Sequence, residues 1–214
     1  MEKLIDIIVH TDDALLTLAA DNVNKVYLVL FLFVMLETGM IFTPFLPGDG
    51  LLFSAGVVAA TTDLDIRILL ILLISAAILG NGINYLVGSF LGKKMRRSNN
   101  YFIKNHIMIY MPRAEVFYDK HGGRAIIIGR FFPIIRTYIP FLAGVVKMPI
   151  SLFIKNSIIG ALAWVLLFLL TGFYVGEIEW VKHNYGLIFL LLISTTLIPF
   201  FYSAINKMIR RIIN

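Results

Sequence analysis

The sequence predicts an all-α integral membrane protein with about four transmembrane helices and two proline-interrupted, re-entrant hairpins. Of its 214 residues, 59% are hydrophobic and 15% are charged, whereas typical soluble domains carry about 25% charged residues. Long uncharged runs supply the predicted spans, and two apolar segments broken by prolines supply the predicted hairpins. The chain has no cysteine, which excludes disulfides and cysteine-based metal sites.

The N-terminal segment 1–24 is predicted to be amphipathic and to lie at the membrane interface. Glu2, Asp6 and Asp12 lie among leucines and isoleucines, a pattern unlike the short apolar core of a cleavable signal peptide. An interfacial helix can bury its apolar face while its acids stay in water. The segment 25–206 is then predicted to form a single membrane domain, followed by a basic cytoplasmic tail at 207–214.

Four runs are predicted to cross the membrane, which requires roughly 20 apolar residues. The runs 68–91, 156–176 and 184–206 contain no charged side chain, whereas the span predicted at 26–43 contains Glu37.

Two further segments, 44–60 and 125–146, are apolar but do not suit a straight spanning helix. Proline removes a backbone donor and clashes with the preceding turn, and in hydrocarbon the freed groups must be satisfied by protein or by water in a cavity. Both segments are therefore predicted to be discontinuous and re-entrant. The residues that mark them are Pro44, Pro47, Gly48, Pro133 and Pro140.

The charges outside the apolar runs predict the orientation. Basic residues cluster at 93–97 and at 210–211, each at the end of an apolar run, where the positive-inside rule places cytoplasmic charge. If the two hairpins do not cross, the stretch 93–124 and both termini are cytoplasmic and the outside loops are mainly acidic. The net charge of +6 thus indicates topology, and nucleic acid is not an expected partner.

Two units of similar sequence, at about 44–92 and about 131–176, are predicted to form an inverted repeat. Three motifs recur in the same order and at nearly constant separation: Phe45-Leu46-Pro47 with Phe131-Phe132-Pro133, Ala55-Gly56-Val57-Val58 with Ala143-Gly144-Val145-Val146, and Gly88–Gly92 with Gly172–Gly176. Under the predicted topology the units enter the membrane from opposite sides. Inverted repeats with broken helices are the construction of many secondary transporters.

Four ionisable residues lie in apolar surroundings: Glu37, Asp49, Arg130 and Arg136. A charge at membrane depth is costly and is usually functional, although permanent structural salt bridges are the alternative. A bend at Pro133 would let the two arginines converge, and guanidinium groups bind phosphate through a fork of donors. The two acids are suited to load and release protons. Together the four residues predict an anion site with a proton switch.

The same residues carry a resemblance to the DedA family, whose shared region is also called the VTT or SNARE-associated domain. Glu37, the run from Pro44 to Asp49, and Gly56 resemble its first motif, and the run from Gly129 to Arg136 with its downstream residues to Trp164 resembles its second. The resemblance covers about residues 25 to 205.

The resemblance implies a multi-pass protein of the bacterial cytoplasmic membrane that transports a polyprenyl phosphate carrier lipid, driven by protons or by the membrane potential. It also implies that the family depends on the residues matching Glu37, Asp49, Arg130 and Arg136. Where the family often has Gly-Asp, this chain has Gly80-Asn81, which leaves the role of Asn81 open.

The predicted function is translocation of undecaprenyl phosphate for envelope synthesis, with Arg130 and Arg136 as substrate-binding residues and Glu37 and Asp49 as proton-coupling residues. The expected partners are a phosphate-headed lipid, protons and membrane lipids. Two alternatives stay open: a phospholipid flippase or scramblase, and a proton-coupled exporter of small cations or drugs. An enzyme, a metal site and a cofactor are not expected. The exact lipid, the coupling ion and direction, and the oligomeric state, a homo-oligomer included, are not predicted.

Overall fold

The computed structural model describes residues 22–40, 48–97, 116–118, 120–176 and 178. Their helices are α1 (Val23–Gly39), α2 (Gly48–Thr61), α3 (Ile66–Arg97), α4 (Arg124–Gly129), α5 (Pro133–Val145) and α6 (Ile150–Gly176). Residues 116–118 and 120–121 are helical as well. Because this part of the chain contains no strand, the predicted all-α class is confirmed for the residues described.

Two helices, α3 and α6, are long and apolar enough to cross a membrane. Their 32 and 27 residues correspond to lengths of about 48 Å and 40 Å, and both exceed a hydrocarbon core of about 30 Å. They contain the predicted spans 68–91 and 156–176. The start of α6 lies earlier than the uncharged run because Lys155 is accommodated on an exposed face of the helix.

The structure describes the second part of the first proline-interrupted segment, where α2 runs unbroken from Gly48 to Thr61. The discontinuity expected in 44–60 stays a prediction. Both prolines precede this helix in sequence, and a proline ahead of the first turn removes no intrahelical hydrogen bond. Pro44 and Pro47 themselves lie outside the described residues.

The second proline-interrupted segment is broken where the sequence predicted. Helix α4 ends at Gly129 and α5 begins at Pro133, with Phe132 in an extended conformation (φ −108°, ψ 111°) between them. Proline is well suited to the start of a helix, since the N–H it lacks would have no partner there. Pro140 lies inside α5.

The number of spans and the re-entrant course of the hairpins remain predictions. The predicted interfacial segment 1–24, the span 184–206 and the tail 207–214 fall outside the described residues, apart from residues 22–24 at the start of α1.

The chain divides into two compact units, each built from separated pieces. The first unit comprises Met1–Leu28, Pro47–Leu70 and Leu166–Asn214, and the second comprises Val29–Leu46 and Ile71–Val165. Helix α2 and the C-terminal part of α6, from Leu166, thus belong to the first unit, whereas α4, α5 and most of α3 belong to the second.

In the second unit α5 packs closely against α3 through glycines. A Cβ atom at Gly144 would overlap the carbonyl oxygen of Tyr85 and would lie 2.7 Å from the backbone nitrogen of Ser89. A Cβ atom at Gly88 would overlap the carbonyl oxygen of Phe141. The two helix backbones can therefore approach only because these positions have no side chain.

In the first unit α2 packs against α6 in the same way. A Cβ atom at Gly56 would overlap the carbonyl oxygen of Leu169 and would lie 2.7 Å from the backbone nitrogen of Phe173. A Cβ atom at Gly172 would overlap the carbonyl oxygen of Phe53. In the predicted repeat Gly56 matches Gly144 and Gly172 matches Gly88, so equivalent glycines make equivalent contacts in the two units.

Candidate functional site

Three of the four charged residues singled out in the sequence lie buried in the second unit. Glu37 is near the end of α1, Arg130 is in the α4–α5 connection and Arg136 is in the first turn of α5; their exposed fractions are 1%, 5% and 7%. The Nη2 atom of Arg136 donates a hydrogen bond to Oε1 of Glu37 and forms a salt bridge with it. The fold thus pairs two charges that lie far apart in sequence.

Trp164 of α6 contacts both arginines. The Cζ atoms of Arg130 and Arg136 lie 4.8 Å and 5.4 Å from the centroid of its ring, within the range of about 6 Å for a cation–π interaction. The indole is fully buried. A single aromatic side chain therefore stabilises two like charges in one place.

The side-chain amide of Asn84 holds the two backbones that carry the ion pair. Its Nδ2 group donates to the carbonyl oxygens of Thr38, at 3.3 Å, and Thr137, at 2.7 Å. Thr38 follows Glu37 in α1, and Thr137 follows Arg136 in α5. An amide on α3 thereby fixes the distance between the segments that present the carboxylate and the guanidinium.

Asn81, about one turn earlier on α3, connects that helix to α6. Its Nδ2 group donates to Oγ of Ser157 at 2.8 Å, and both side chains are buried. The role of Asn81, which the sequence left open, includes this link. An aspartate at the same position would be able to accept a hydrogen bond from the serine but, when ionised, would be unable to donate one.

A small cavity of about 10 Å³ lies among these side chains. Such a volume holds about one water molecule and is too small for a phosphate group. The arginines are therefore in a closed arrangement, and a larger anion requires them to separate from their present neighbours. The cavity is lined by Thr38, Asn81, Ile126, Arg130, Arg136, Pro140 and Trp164.

Asp49, the fourth charged residue, belongs to the first unit. It lies in the first turn of α2 and is 7% exposed. A negative charge in this position is favoured by the dipole of the helix.

The residues that mark the two predicted re-entrant segments occupy different positions in the structure. Gly48 begins α2, Pro133 begins α5 and Pro140 contributes to the small cavity. Among the residues that the structure describes, no group of three or more His, Cys, Asp or Glu side chains could hold a metal ion.

The sequence did not single out two residues of this site for a role. Trp164 entered only as part of the second motif, and Asn84 entered only as part of a span. Polar residues in an uncharged membrane helix usually have a specific partner, and this signal would have identified Asn84. Nothing in the sequence distinguishes Trp164 from an ordinary core aromatic.

Comparison with known proteins identifies relatives over most of the chain. The VTT domain model matches residues 46–174. The chain is 42% identical over 198 residues to Protein DedA of Escherichia coli K12. The aligned region covers 92% of this chain and 90% of that protein. It is 33% identical over 155 residues to Inner membrane protein YqjA of the same organism, covering 72% and 70%.

A further relative is an uncharacterized membrane protein of Mycobacterium leprae, with 33% identity over 172 residues, 80% of this chain and 76% of that protein. No solved structure matches the chain.

Proposed function

The chain belongs to the DedA family of VTT-domain membrane proteins, and we propose that it translocates undecaprenyl phosphate across the bacterial cytoplasmic membrane for reuse in envelope synthesis. The main support is the buried cluster in which Arg130 and Arg136 share the face of Trp164 and Glu37 pairs with Arg136. Two guanidiniums in one buried site are unusual in a structural scaffold, because each charge carries a desolvation cost.

The phosphate head is recognised by the two arginines while the polyprenyl tail stays in lipid. A guanidinium presents a planar fork of donors that matches phosphate oxygens, and it stays charged at any physiological pH. In the closed arrangement, Oε1 of Glu37 accepts a hydrogen bond from Arg136. Carboxylate and phosphate oxygens compete for the same N–H groups, so Glu37 is the resident anion that the lipid head replaces.

Proton coupling follows from that competition. A proton taken up by Glu37 removes its negative charge and weakens its bond to Arg136, which frees the guanidinium for phosphate. Loss of the proton restores the salt bridge and expels the lipid head. Asp49 is assigned a second proton-binding step, from its burial at the start of α2.

The proposal is tested in proteoliposomes that contain undecaprenyl phosphate, with an assay for the leaflet that holds the phosphate. Wild-type protein should move the lipid, and the rate should depend on a pH gradient. Glu37→Gln and Asp49→Asn should insert and fold but should lose transport. Lys155→Gln, which changes an exposed cation on α6, is the control and should transport normally.

Two results would contradict the proposal. One is wild-type protein that leaves the lipid in its original leaflet. The other, which removes the proton step alone, is full activity with unchanged pH dependence in both carboxylate variants.

The same assay separates the alternative substrates. A phospholipid flippase or scramblase would move zwitterionic and anionic phospholipids with no preference for the polyprenyl phosphate monoester. A cation exporter would bring its substrate against two buried guanidiniums, and like charges repel strongly in a dry site, so we do not favour that function.

A further inference from the structure

A second, larger cavity opens along the exposed face of α4 and α5. Its volume is about 640 Å³, within the range of about 300–1,000 Å³ typical of ligand pockets. We call this cavity the α4–α5 groove; it lies entirely within the second unit and is distinct from the small cavity at Arg130 and Arg136.

One wall of the groove is apolar and open. Ile128, Phe132 and Ile135 line it and are 59%, 51% and 46% exposed. The neighbouring arginines, Arg130 and Arg136, are buried and do not line the groove. An exposed apolar wall of this kind is stable when hydrocarbon chains cover it.

The mouth of the groove is basic. Lys120, His121 and Arg124 line it, all three residues are exposed, and the described lining contains no acidic residue. The chain turns between them at Gly122, which has a positive φ of 54° that glycine adopts readily. This turn places the two residues before it beside the first residue of α4.

One contact joins the segment that carries the basic mouth to α5, and a second orients the imidazole within that segment. The hydroxyl of Tyr118 donates to the carbonyl oxygen of Ile139 at 2.6 Å, and burial raises the pKa of Tyr118, so the hydroxyl stays protonated as the donor. The Nδ1 atom of His121 donates to the carbonyl oxygen of Phe117 at 3.0 Å, because a carbonyl can only accept. The segment that carries the mouth is therefore held against α5 through Tyr118.

We infer that the α4–α5 groove binds a phosphate-headed lipid before the lipid reaches the buried arginines. The basic mouth suits the anionic head, and the apolar wall suits the tail; a soluble phosphate would use only the first, and an apolar peptide only the second. The inference rests on the proposed lipid transport and adds to it a site of first binding.

Neighbouring residues of α4 and of its connection to α5 line the groove and the buried site. Ala125 and Gly129 line the groove. The residue that follows each of them in sequence, Ile126 and Arg130 respectively, lines the small cavity. At Gly129 the side chain of Ile139 on α5 packs against α4, since a Cβ atom there would overlap Cδ1 of Ile139. In the proposed path, a movement of α5 away from α4 at this point would connect the two sites.

The first test removes the basic mouth. Binding of undecaprenyl phosphate to purified full-length protein in nanodiscs is measured for wild type and for the double variant Lys120→Gln with Arg124→Gln. Each basic group near a membrane surface contributes to the attraction of anionic lipid, and loss of two should weaken binding about ten-fold or more. Lys155→Gln, outside the groove, should bind as wild type does.

The second test fills the groove without a change of charge. Ile128→Trp should obstruct the tail and slow both binding and transport several-fold. Ile159→Trp, at a position on α6 that is 43% exposed, adds the same bulk elsewhere and should leave both unchanged. Thermal unfolding of each variant in detergent controls for loss of folding, and the single substitutions Lys120→Gln and Arg124→Gln replace the double variant if it unfolds.

The outcomes separate this inference from the proposed function. Wild-type protein that neither binds nor moves the lipid overturns both. Normal transport with unaltered lipid affinity in the double variant and in Ile128→Trp overturns the groove alone. If inorganic phosphate binds at the mouth with the same affinity as the lipid, the tail contributes nothing to recognition, and the assignment of a lipid is wrong.

Discussion

At the scale of single residues, the indole of Trp164 is the contact that two arginines share. Cation–π interactions are worth about 0.5–2 kcal/mol each, more when they are desolvated, and Trp164 makes two of them. If Trp164 is removed, the cation–π attraction that offsets the repulsion between Arg130 and Arg136 is lost. Trp164 is therefore a positioning residue for the proposed phosphate site.

We expect Trp164→Phe to retain part of the transport activity and Trp164→Leu to retain much less. Both substitutions shorten the side chain and leave space in the core, so their losses of thermal stability should be similar. Only phenylalanine keeps an aromatic face for the guanidiniums. Equal transport and equal lipid affinity in the two variants would reduce Trp164 to a packing residue.

Arg136→Lys separates phosphate capture from a structural salt bridge. Lysine keeps the positive charge and can still pair with Glu37, but it lacks the planar fork. We expect lipid binding and transport to fall about ten-fold or more, as for the loss of a bidentate contact of roughly 1.4 kcal/mol or more. Binding to purified wild-type and variant protein is the measurement, and equal affinity with equal transport would exclude the arginine clamp.

The charged residues of the site were readable in the sequence, but the roles of the neutral ones were not. Glu37, Arg130 and Arg136 interrupt apolar runs in which a charge is unfavourable, so composition alone draws attention to them. Asn84 is noticeable as a polar residue in an uncharged helix, which does not reveal its partners, and Trp164 is compatible with any packed helix. Their roles depend on which backbones and which cations lie beside them, and that is a property of the tertiary structure.

At the scale of helices, glycines set how closely α2 approaches α6 and α5 approaches α3. Gly56 and Gly144 each face the backbone of a long helix, whereas Gly82 on α3 has no atom within 4 Å of the place where a Cβ would be. The first two glycines are therefore required by packing, and the third is not.

We expect Gly56→Ala and Gly144→Ala to lower the thermal stability of the purified protein and Gly82→Ala to leave it unchanged or raise it. Alanine is preferred over glycine in a helix by about 0.5–1 kcal/mol. At Gly82 no steric clash opposes this gain in helix stability, because a Cβ atom there meets no neighbour. At the other two positions the methyl group must push two backbones apart. Unfolding monitored by circular dichroism in detergent decides the matter, and a stabilised Gly56→Ala variant would contradict the described packing.

The sequence predicted the break between α4 and α5, whereas the break expected in segment 44–60 stays a prediction. At Pro133 the proline falls on the first residue of a helix, so the break and its marker coincide. In the first segment the prolines precede Gly48, and their influence does not extend into the helix. A proline in a sequence shows that a helix ends or starts nearby, but not on which side the regular structure lies.

At the scale of the whole molecule, the orientation is a prediction from charge. Because the chain has no cysteine, single cysteines at Asp63, Met95, Glu179 and Arg210 can be labelled without background. A reagent that does not cross the membrane should label only 63 and 179 from outside. Outside labelling at 95 would contradict two non-crossing hairpins with cytoplasmic termini.

The all-helical membrane class was predictable because hydropathy and proline placement report on it directly. The division into units was not. Sequence similarity between two repeats shows that they share a form, but it does not show which long helix each short helix contacts. That choice depends on complementary surfaces, such as Gly56 opposite the backbone of Leu169.

This pattern of packing has a consequence for synthesis at the ribosome. When α5 emerges, its partner around Tyr85 has already been made, but α2 must wait for Leu169, which is translated long after Gly56. At about 5–20 residues per second, the delay is on the order of ten seconds. During that interval the glycine face of α2 has no native neighbour, so a chain that stops before α6 lacks the partner against which Gly56 packs.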